Sequence, residues 1–481
     1  MTVSMDERFR ETARRQPDHP AVVGPQASTE VTYAQLDRAI EAASGRLKEL
    51  GVQPGECIAL HLPSSAQYII WNYAVWRCGG CVVPIPVELA ADEKTEICRQ
   101  IALDRVISPR KSAGFVEAFC RTSGGDLGAD LMQVPIRSPR EHPPGFHEVA
   151  GAFIRFTSGT TGTSKGVVLS HQTIDERIRA ANDVLDIGPR DRVVWVLSMS
   201  YHFTVSIVGY LTLGATIILP ANHFAAAIFQ AIHQRESTLL YASPMHFALL
   251  ADSPQAAPLP LRLAISTTSS LDGRIAQAFS QRCGLPISQA LGIIEIGLPC
   301  INVDMAAEHP SSVGRVLPAY ELRLEDVGLG PEMREIFLRG PGFLDAYYHP
   351  WQTRKEIMPD GWFRTGDLGF LDEDRCLSLR GRSKDVINVM GMKFFPQEVE
   401  SVLASHPQVQ SASVFGCPDE RWGEAAHARV VLSNHSRADG LEEQLRQFCL
   451  QRLASYKVPQ KIEFVASLPR TASGKVLHRA K

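Results

Sequence analysis

From about residue 31 to residue 110, stretches with helical periodicity alternate with β-branched runs. Val31-Thr32-Tyr33-Ala34-Gln35-Leu36 leads into a helix expected to run through Leu50. Gly51-Val52-Gln53-Pro54-Gly55-Glu56 then makes a turn, and Cys57-Ile58-Ala59-Leu60-His61-Leu62 reads as a strand. This order is βαβ-like. Residues 121–150 break the pattern: they are rich in Gly, Pro, Ser and charge, and read as a surface crossing. A second α/β stretch runs from Arg192 to Gly297. Its apolar runs at 193–197, 215–219 and 262–265 suit strands buried on both faces. Near Arg382-Ser383-Lys384-Asp385 the character changes again. Strands are expected at 386–389, 411–415 and 428–432, and helices near 396–405 and 440–454. The pattern therefore divides the chain into a large α/β domain over residues 1–383 and a small α+β domain over 384–481.

Composition agrees with that division, since 481 residues exceed one ordinary core and a hydrophobic content of 44% supplies enough to bury. The formal charge of -3 gives no basic field, so neither nucleic acid nor an anionic membrane surface is an expected partner. The segment Met1 to Arg10 lacks the apolar core of a signal peptide, and no 18-residue uncharged apolar run occurs; a cytoplasmic protein is expected. The cysteines are scattered. Cys78 and Cys81 form the one close pair, flanking Gly79-Gly80 with no second ligand pair nearby, and read as reduced core thiols.

Candidate chemistry begins at Phe156-Thr157-Ser158-Gly159-Thr160-Thr161-Gly162-Thr163-Ser164-Lys165-Gly166. Glycines let a backbone turn its N–H groups onto a polyanion, hydroxyls add donors, and lysine supplies a mobile point charge. A nucleoside triphosphate is the expected ligand. The loop is not a Walker A sequence, because Ser164 precedes Lys165 and Gly166 follows it.

The order Thr-Ser-Gly-Thr-Thr-Gly-x-x-Lys-Gly, followed by Val167-Val168-Leu169-Ser170-His171, resembles the phosphate loop of the adenylate-forming enzymes, which include acyl-CoA synthetases, luciferases and peptide-synthetase adenylation domains. The resemblance continues through Val313-Gly314-Arg315, Gly340-Pro341-Gly342 and Ala346-Tyr347-Tyr348 to Lys475. It implies a large N-terminal domain of α/β lobes with mostly parallel sheets, plus a small mobile α+β C-terminal domain. It also implies phosphate binding by Thr157, Ser158, Gly159, Thr160, Thr161, Gly162 and Lys165.

Leu291-Gly292-Ile293-Ile294-Glu295 occupies the place of the family's Tyr-Gly-x-Thr-Glu motif, which stacks on adenine, touches the α-phosphate and supplies a magnesium-binding carboxylate. Glu295 is kept as the expected ligand of Mg²⁺. Leu291 offers only apolar contact where tyrosine stacks, and Ile294 cannot donate the threonine hydrogen bond. That loss costs on the order of 1.5–3 kcal/mol, which weakens nucleotide binding without abolishing it. Asp367, in Gly361-Trp362-Phe363-Arg364-Thr365-Gly366-Asp367-Leu368, matches the aspartate that grips the ribose, and Arg382 is implied to reach the same ribose. Lys475, in Leu468-Pro469-Arg470-Thr471-Ala472-Ser473-Gly474-Lys475, matches the catalytic lysine between acyl carboxylate and α-phosphate. Lys384 matches the hinge and Gly391 the glycine beside the pantetheine arm.

The implied reaction uses ATP and Mg²⁺ to convert a small carboxylic acid to an acyl-adenylate, which then passes to the thiol of CoA or of a carrier protein acting in trans. Segment 198–206 holds no acid where α-amino-acid-activating members have an aspartate, so an α-amino acid is not expected. His202 there is implied to gate the acyl pocket or touch the carboxylate; a satisfied core histidine is the other reading. Thr267 and Thr268 stand where many acyl-CoA synthetases have glycines, which narrows the pocket toward a short aliphatic or an aryl acid. A degenerate, non-catalytic nucleotide-binding relative is the alternative, resting on Leu291, Ile294 and the two threonines, and a luciferase-like oxygenase is a third.

Overall fold

Thr32 lies in extended backbone, its hydroxyl accepts the Gln35 N–H, and the Gln35 side chain accepts the Thr32 N–H. This reciprocal cap starts a helix at Tyr33 that runs to Glu49 and buries Leu36, Ile40, Ala43 and Leu47 on one face. The strand Cys57–Leu60, the helix Ala66–Arg77 and the strand Cys81–Pro84 follow, and the two strands pair in parallel with Cys57 opposite Cys81. Burial pushes the Cys57 thiol well above its usual value. Every described cysteine is free, and all but Cys417 are buried.

The computed structural model describes the chain except for residues 1–3, 27–28, 113–124, 129, 137–139, 157–164, 329–332, 391, 420, 434–439 and 469–481. Contacts divide it into two compact units. The larger comprises Met1–Ser158, Ser164–Glu321 and Gly340–Gly361, and the smaller contains Leu322–Arg339 and Trp362–Lys481.

The larger unit is mixed α/β, with an eight-stranded and a nine-stranded sheet. In the eight-stranded sheet, strands Ser288–Ile293, Leu263–Ser266, Leu239–Ala242, Arg192–Trp195, Thr216–Ile218 and Pro20–Val23 run parallel, with an antiparallel strand at each edge. The nine-stranded sheet has a parallel centre of Arg105–Pro109, Cys57–Leu60, Cys81–Pro84 and Gly151–Phe156, with antiparallel flanks. Parallel strands need cover on both faces, which explains their continuous apolar runs. Phe9, Tyr33, Tyr73, Trp76 and Phe203 form a buried aromatic cluster that joins the helices Met5–Arg15, Tyr33–Glu49 and Ala66–Arg77 to the segment Phe203–Ile207.

The described residues of 121–150 are not the surface crossing their composition suggests. Gly125–Gly128 and Leu131–Pro135 extend the nine-stranded sheet beyond Arg105–Pro109, and Leu131, Gln133, Val134 and Phe146 are buried. An edge strand needs few apolar positions, and the surrounding Gly, Pro and Ser mask them in composition.

The smaller unit has a four-stranded antiparallel sheet, which includes Arg334–Arg339, Phe363–Leu371 and Leu377–Arg382, and a five-stranded sheet. The buried core of the five-stranded sheet, with its helices Pro396–Ala404 and Leu441–Leu450, is drawn entirely from Ile387 onward. Among the described residues, no helix is long and apolar enough to cross a membrane.

Candidate active site

Glu295 sits in the tight turn between Ser288–Ile293 and Gly297–Ile301, an antiparallel pair in which Gly297 adopts φ 113°. Glycine alone enters that conformation freely. The Glu295 carbonyl accepts the Leu344 N–H at 2.7 Å, which ties the turn to the segment before strand Ala346–Tyr347. That strand pairs with Gly166–Ser170, with Tyr347 opposite Val167, two positions after Lys165. The Tyr347 hydroxyl therefore reaches Glu295 and donates to Oε1 at 3.1 Å, while Lys165 Nζ lies 4.2 Å from the Tyr347 ring centroid. Burial, with the carboxylate of Glu295 beside it, pushes the Tyr347 phenol upward, so it remains a donor.

One tyrosine thus holds the expected phosphate lysine and the expected metal carboxylate together. Sequence reading named the Ala346-Tyr347-Tyr348 run only as part of a resemblance and gave Tyr347 no role. Glu295 retains acceptor capacity beyond Oε1, because a carboxylate offers about four lone-pair directions. Magnesium commonly keeps several waters and takes one or two protein carboxylates plus substrate phosphates. Glu295 fits that demand, and among the described residues no cluster of three His, Cys, Asp or Glu is arranged as a metal cage.

A second cluster of the larger unit gathers the expected acyl-pocket residues. The helix Met199–His202 passes into a π-helical turn, Phe203–Ile207, a form uncommon enough to mark functional segments. The His202 ring packs edge-on against Trp195 at 5.8 Å and lies 6.1 Å from Tyr241, and Trp195 and Tyr241 stack at 5.2 Å. Tyr241 lies beside the Thr267 and Ser206 hydroxyls, so His202 and Thr267 both border this tyrosine. Gly292 faces the same threonine: a Cβ there would stand 3.6 Å from Thr267 Oγ1. Leu291 is buried and Ile294 half-buried. Thr268 adopts φ 81°, which is costly for a β-branched residue.

In the smaller unit Asp367 and Arg382 are cross-strand partners, and Arg382 Nε stands 2.9 Å from Asp367 Oδ1. Gly366, at φ 72°, makes the bend before the buried aspartate. Lys384 is exposed in the short turn Ser383–Asp385. Thr157, Ser158, Gly159, Thr160, Thr161, Gly162, Gly391 and Lys475 lie outside the described residues.

The AMP-binding enzyme model matches residues 9–348, and the AMP-binding enzyme C-terminal domain model matches residues 398–475. A feruloyl-CoA synthase of Amycolatopsis is 30% identical, over 97% of this chain and 96% of that protein. A long-chain-fatty-acid–CoA ligase of Mycobacterium tuberculosis is 28% identical, over 98% of this chain and 96% of that protein. Among solved structures, the amide bond synthetase McbA of Marinactinospora thermotolerans superposes with a TM-score of 0.81 at 28% identity, covering 98% of each chain.

Proposed function

Because the chain belongs to the family of AMP-binding enzymes, we propose that it activates a carboxylic acid with ATP and passes the acyl group to a thiol. A carboxylate oxygen of the acid attacks the α-phosphorus, an O–P bond forms, and the bond to pyrophosphate breaks. The products are an acyl-adenylate and pyrophosphate. The thiol, of CoA or of a carrier protein's phosphopantetheine, then displaces AMP to give a thioester.

The observation that carries this reading is the Lys165–Tyr347–Glu295 arrangement, which sets a cation and a carboxylate on one phenol where the phosphate-loop strand begins. Lys165 offsets phosphate charge, and Tyr347 fixes the direction of Glu295. Magnesium, when bound through Glu295, supplies charge neutralisation for the departing pyrophosphate. Positioning and electrostatics carry most of such a transfer. Asp367, an acceptor, suits the ribose hydroxyls, with Arg382 holding it from the facing strand. Lys475 supplies the charge between the acid and the α-phosphate, Lys384 is the hinge between a domain of residues 1–383 and one of 384–481, and Gly391 lines the path of the pantetheine arm.

For the acid, the wall of Trp195 and Tyr241 with His202 and Thr267 favours a short aliphatic or an aryl group over a long chain. The names of the relatives span aryl and long-chain acids, so the choice rests on these residues.

Acid-dependent pyrophosphate release with ATP and Mg²⁺ tests the reading, run across short aliphatic, aryl, amino and long-chain acids with and without CoA. Release with one acid class, and a CoA thioester as product, is the expected outcome. Release that halts at a hydroxylamine-trappable adenylate would assign the thiol to a carrier protein. Silence across the panel, with ATP still bound, would leave a non-catalytic nucleotide-binding protein.

A further inference from the structure

The strand Gly151–Phe156 buries Ala152, Phe153 and Ile154 and carries a guanidinium, Arg155, one residue before its end. Arg155 Nη1 donates to the Tyr201 carbonyl, and the guanidinium carbon lies 5.3 Å from the Tyr201 ring centroid. Nε is buried with no hydrogen-bond partner, and among the described residues no carboxylate forms an ion pair with Arg155. Burial pulls its pKa down to about 10, with Tyr201, Glu295, Tyr68 and Tyr241 as the groups that oppose the shift. The larger unit's other buried arginines are disposed differently. Arg77 is paired with Asp6 and Asp37, and Arg177, with both Nη atoms also unpartnered, is sealed from solvent at 2% exposure with Nε on the Gly342 carbonyl. Arg155 is half-buried, with part of its side chain reachable.

A partly desolvated guanidinium with no carboxylate partner is stabilised by a nearby anion. Its surroundings identify what would compensate it. Arg155 holds the Tyr201 carbonyl and Tyr201 precedes His202, so Arg155 stands beside the candidate acyl pocket, with Glu295 within electrostatic reach. The reacting carboxylate has to lie near the phosphates. A cation held at Tyr201 is then available to a different part of the acid.

We propose that Arg155 is a specificity-determining residue that pairs with a second anionic group on the acid. The substrate class is therefore a carboxylic acid bearing another carboxylate or a sulfonate, held by the planar fork that arginine presents to such groups. This inference rests on the adenylation reading above and names the acid that site takes.

Matched acids that differ only in the second charge test it: propanoate against propanedioate and 3-sulfopropanoate, and benzoate against benzene-1,3-dicarboxylate. Wild-type kcat/KM for pyrophosphate release is expected to favour the dianion at least tenfold, the carboxylate and sulfonate arms showing which anion fits. Arg155→Met should lower kcat/KM for the preferred dianion by about 100-fold, mainly through KM, and leave the monoanion within a few-fold. Arg155→Lys should recover part of the preference.

Arg155→Gln keeps a donor for the Tyr201 carbonyl and replaces the methionine variant if that one does not fold. A wild-type preference for monoanions, or an equal fall for both members of a pair, would overturn the proposal. Acid-induced thermal stabilisation without ATP separates it from the adenylation reading. If no acid supports pyrophosphate release, the adenylation reading fails, yet a dianion that stabilises wild type and not Arg155→Gln still locates the anion at Arg155. A dianion that stabilises both equally sinks the Arg155 assignment alone.

Discussion

Tyr347 and Thr268 carry the two residue-level features that sequence chemistry does not announce. Tyr347→Phe keeps the ring against Lys165 and removes only the hydrogen bond to Glu295. A hydrogen bond to a charged group is worth about 1.5–3 kcal/mol, so kcat/KM for pyrophosphate release is expected to fall roughly 10- to 100-fold with a higher Mg²⁺ requirement. An unchanged Mg²⁺ titration would remove Tyr347 from the site. Thr268 occupies φ 81°, where a side chain costs of order 1–3 kcal/mol. Thr268→Gly relieves that strain and loses about 0.5–1 kcal/mol through the freer unfolded chain, leaving a gain of about 1 kcal/mol in a urea titration. A lower midpoint would show that Thr268 makes contacts worth more than its strain. The candidates Glu295, Asp367 and Arg382 could be named from sequence because a charge inside a Gly-rich motif stands out. Tyr347 and Tyr241 were not, because an aromatic residue beside apolar neighbours looks the same in a core as in a site.

At the level of elements, the strands Phe363–Leu371 and Leu377–Arg382 position the Asp367–Arg382 pair, and Gly369 leaves no room for a side chain between them. A Cβ there would stand 2.4 Å from the Ser378 carbonyl oxygen, beside the irregularity in register between Leu368 and Gly369. Backbone cannot yield as a side-chain tip can, and overpacking of this kind costs about 1–3 kcal/mol. Gly369→Ala is expected to lower the unfolding midpoint and raise KM for ATP more than KM for the acid, read by steady-state titration of each. Equal effects on both would separate this ladder from ribose binding. The buried strands and the capped helices were readable because their signals are local: Thr32 with Gln35 at one helix start, unbroken apolar runs in the parallel strands. The antiparallel edge was hidden, since Leu131–Pro135 is held by pairing with Arg105–Pro109, more than twenty residues away at every pair of its register. Periodicity cannot display such a contact.

For the whole molecule, two histidines set a lower pH limit. His171 accepts the Met5 N–H at the start of the helix His171–Leu185, and His246 bonds Ser243 at the start of Pro244–Asp252; burial pulls both to about 4. Each is neutral in the folded chain down to that pH, whereas the unfolded chain takes the proton near 6.5. The folded state therefore loses stability as pH falls from about 6.5 to about 4, by on the order of 3 kcal/mol per residue at most. Urea midpoints across that window should fall, and His171→Gln should flatten the slope; a midpoint flat from pH 7 to 4 would contradict it. Within the smaller unit, the turn Ser383–Asp385 lies between the strand Leu377–Arg382 and a core that begins at Ile387. The core beyond it is closed from Ile387 onward, so its packing does not depend on the turn geometry at Lys384. Lys384 is exposed, and proline would fix its φ near -65° and remove its N–H. If residues 384–481 must reorient between adenylation and thiol transfer, restricting this one torsion should divide the two half-reactions. Lys384→Pro is expected to leave hydroxylamine-trapped adenylate formation within a few-fold of wild type and to reduce thioester formation at least tenfold. A proportional loss of both would place the pivot elsewhere, and the exposed turn would then be a connection between sheets with no part in the catalytic cycle.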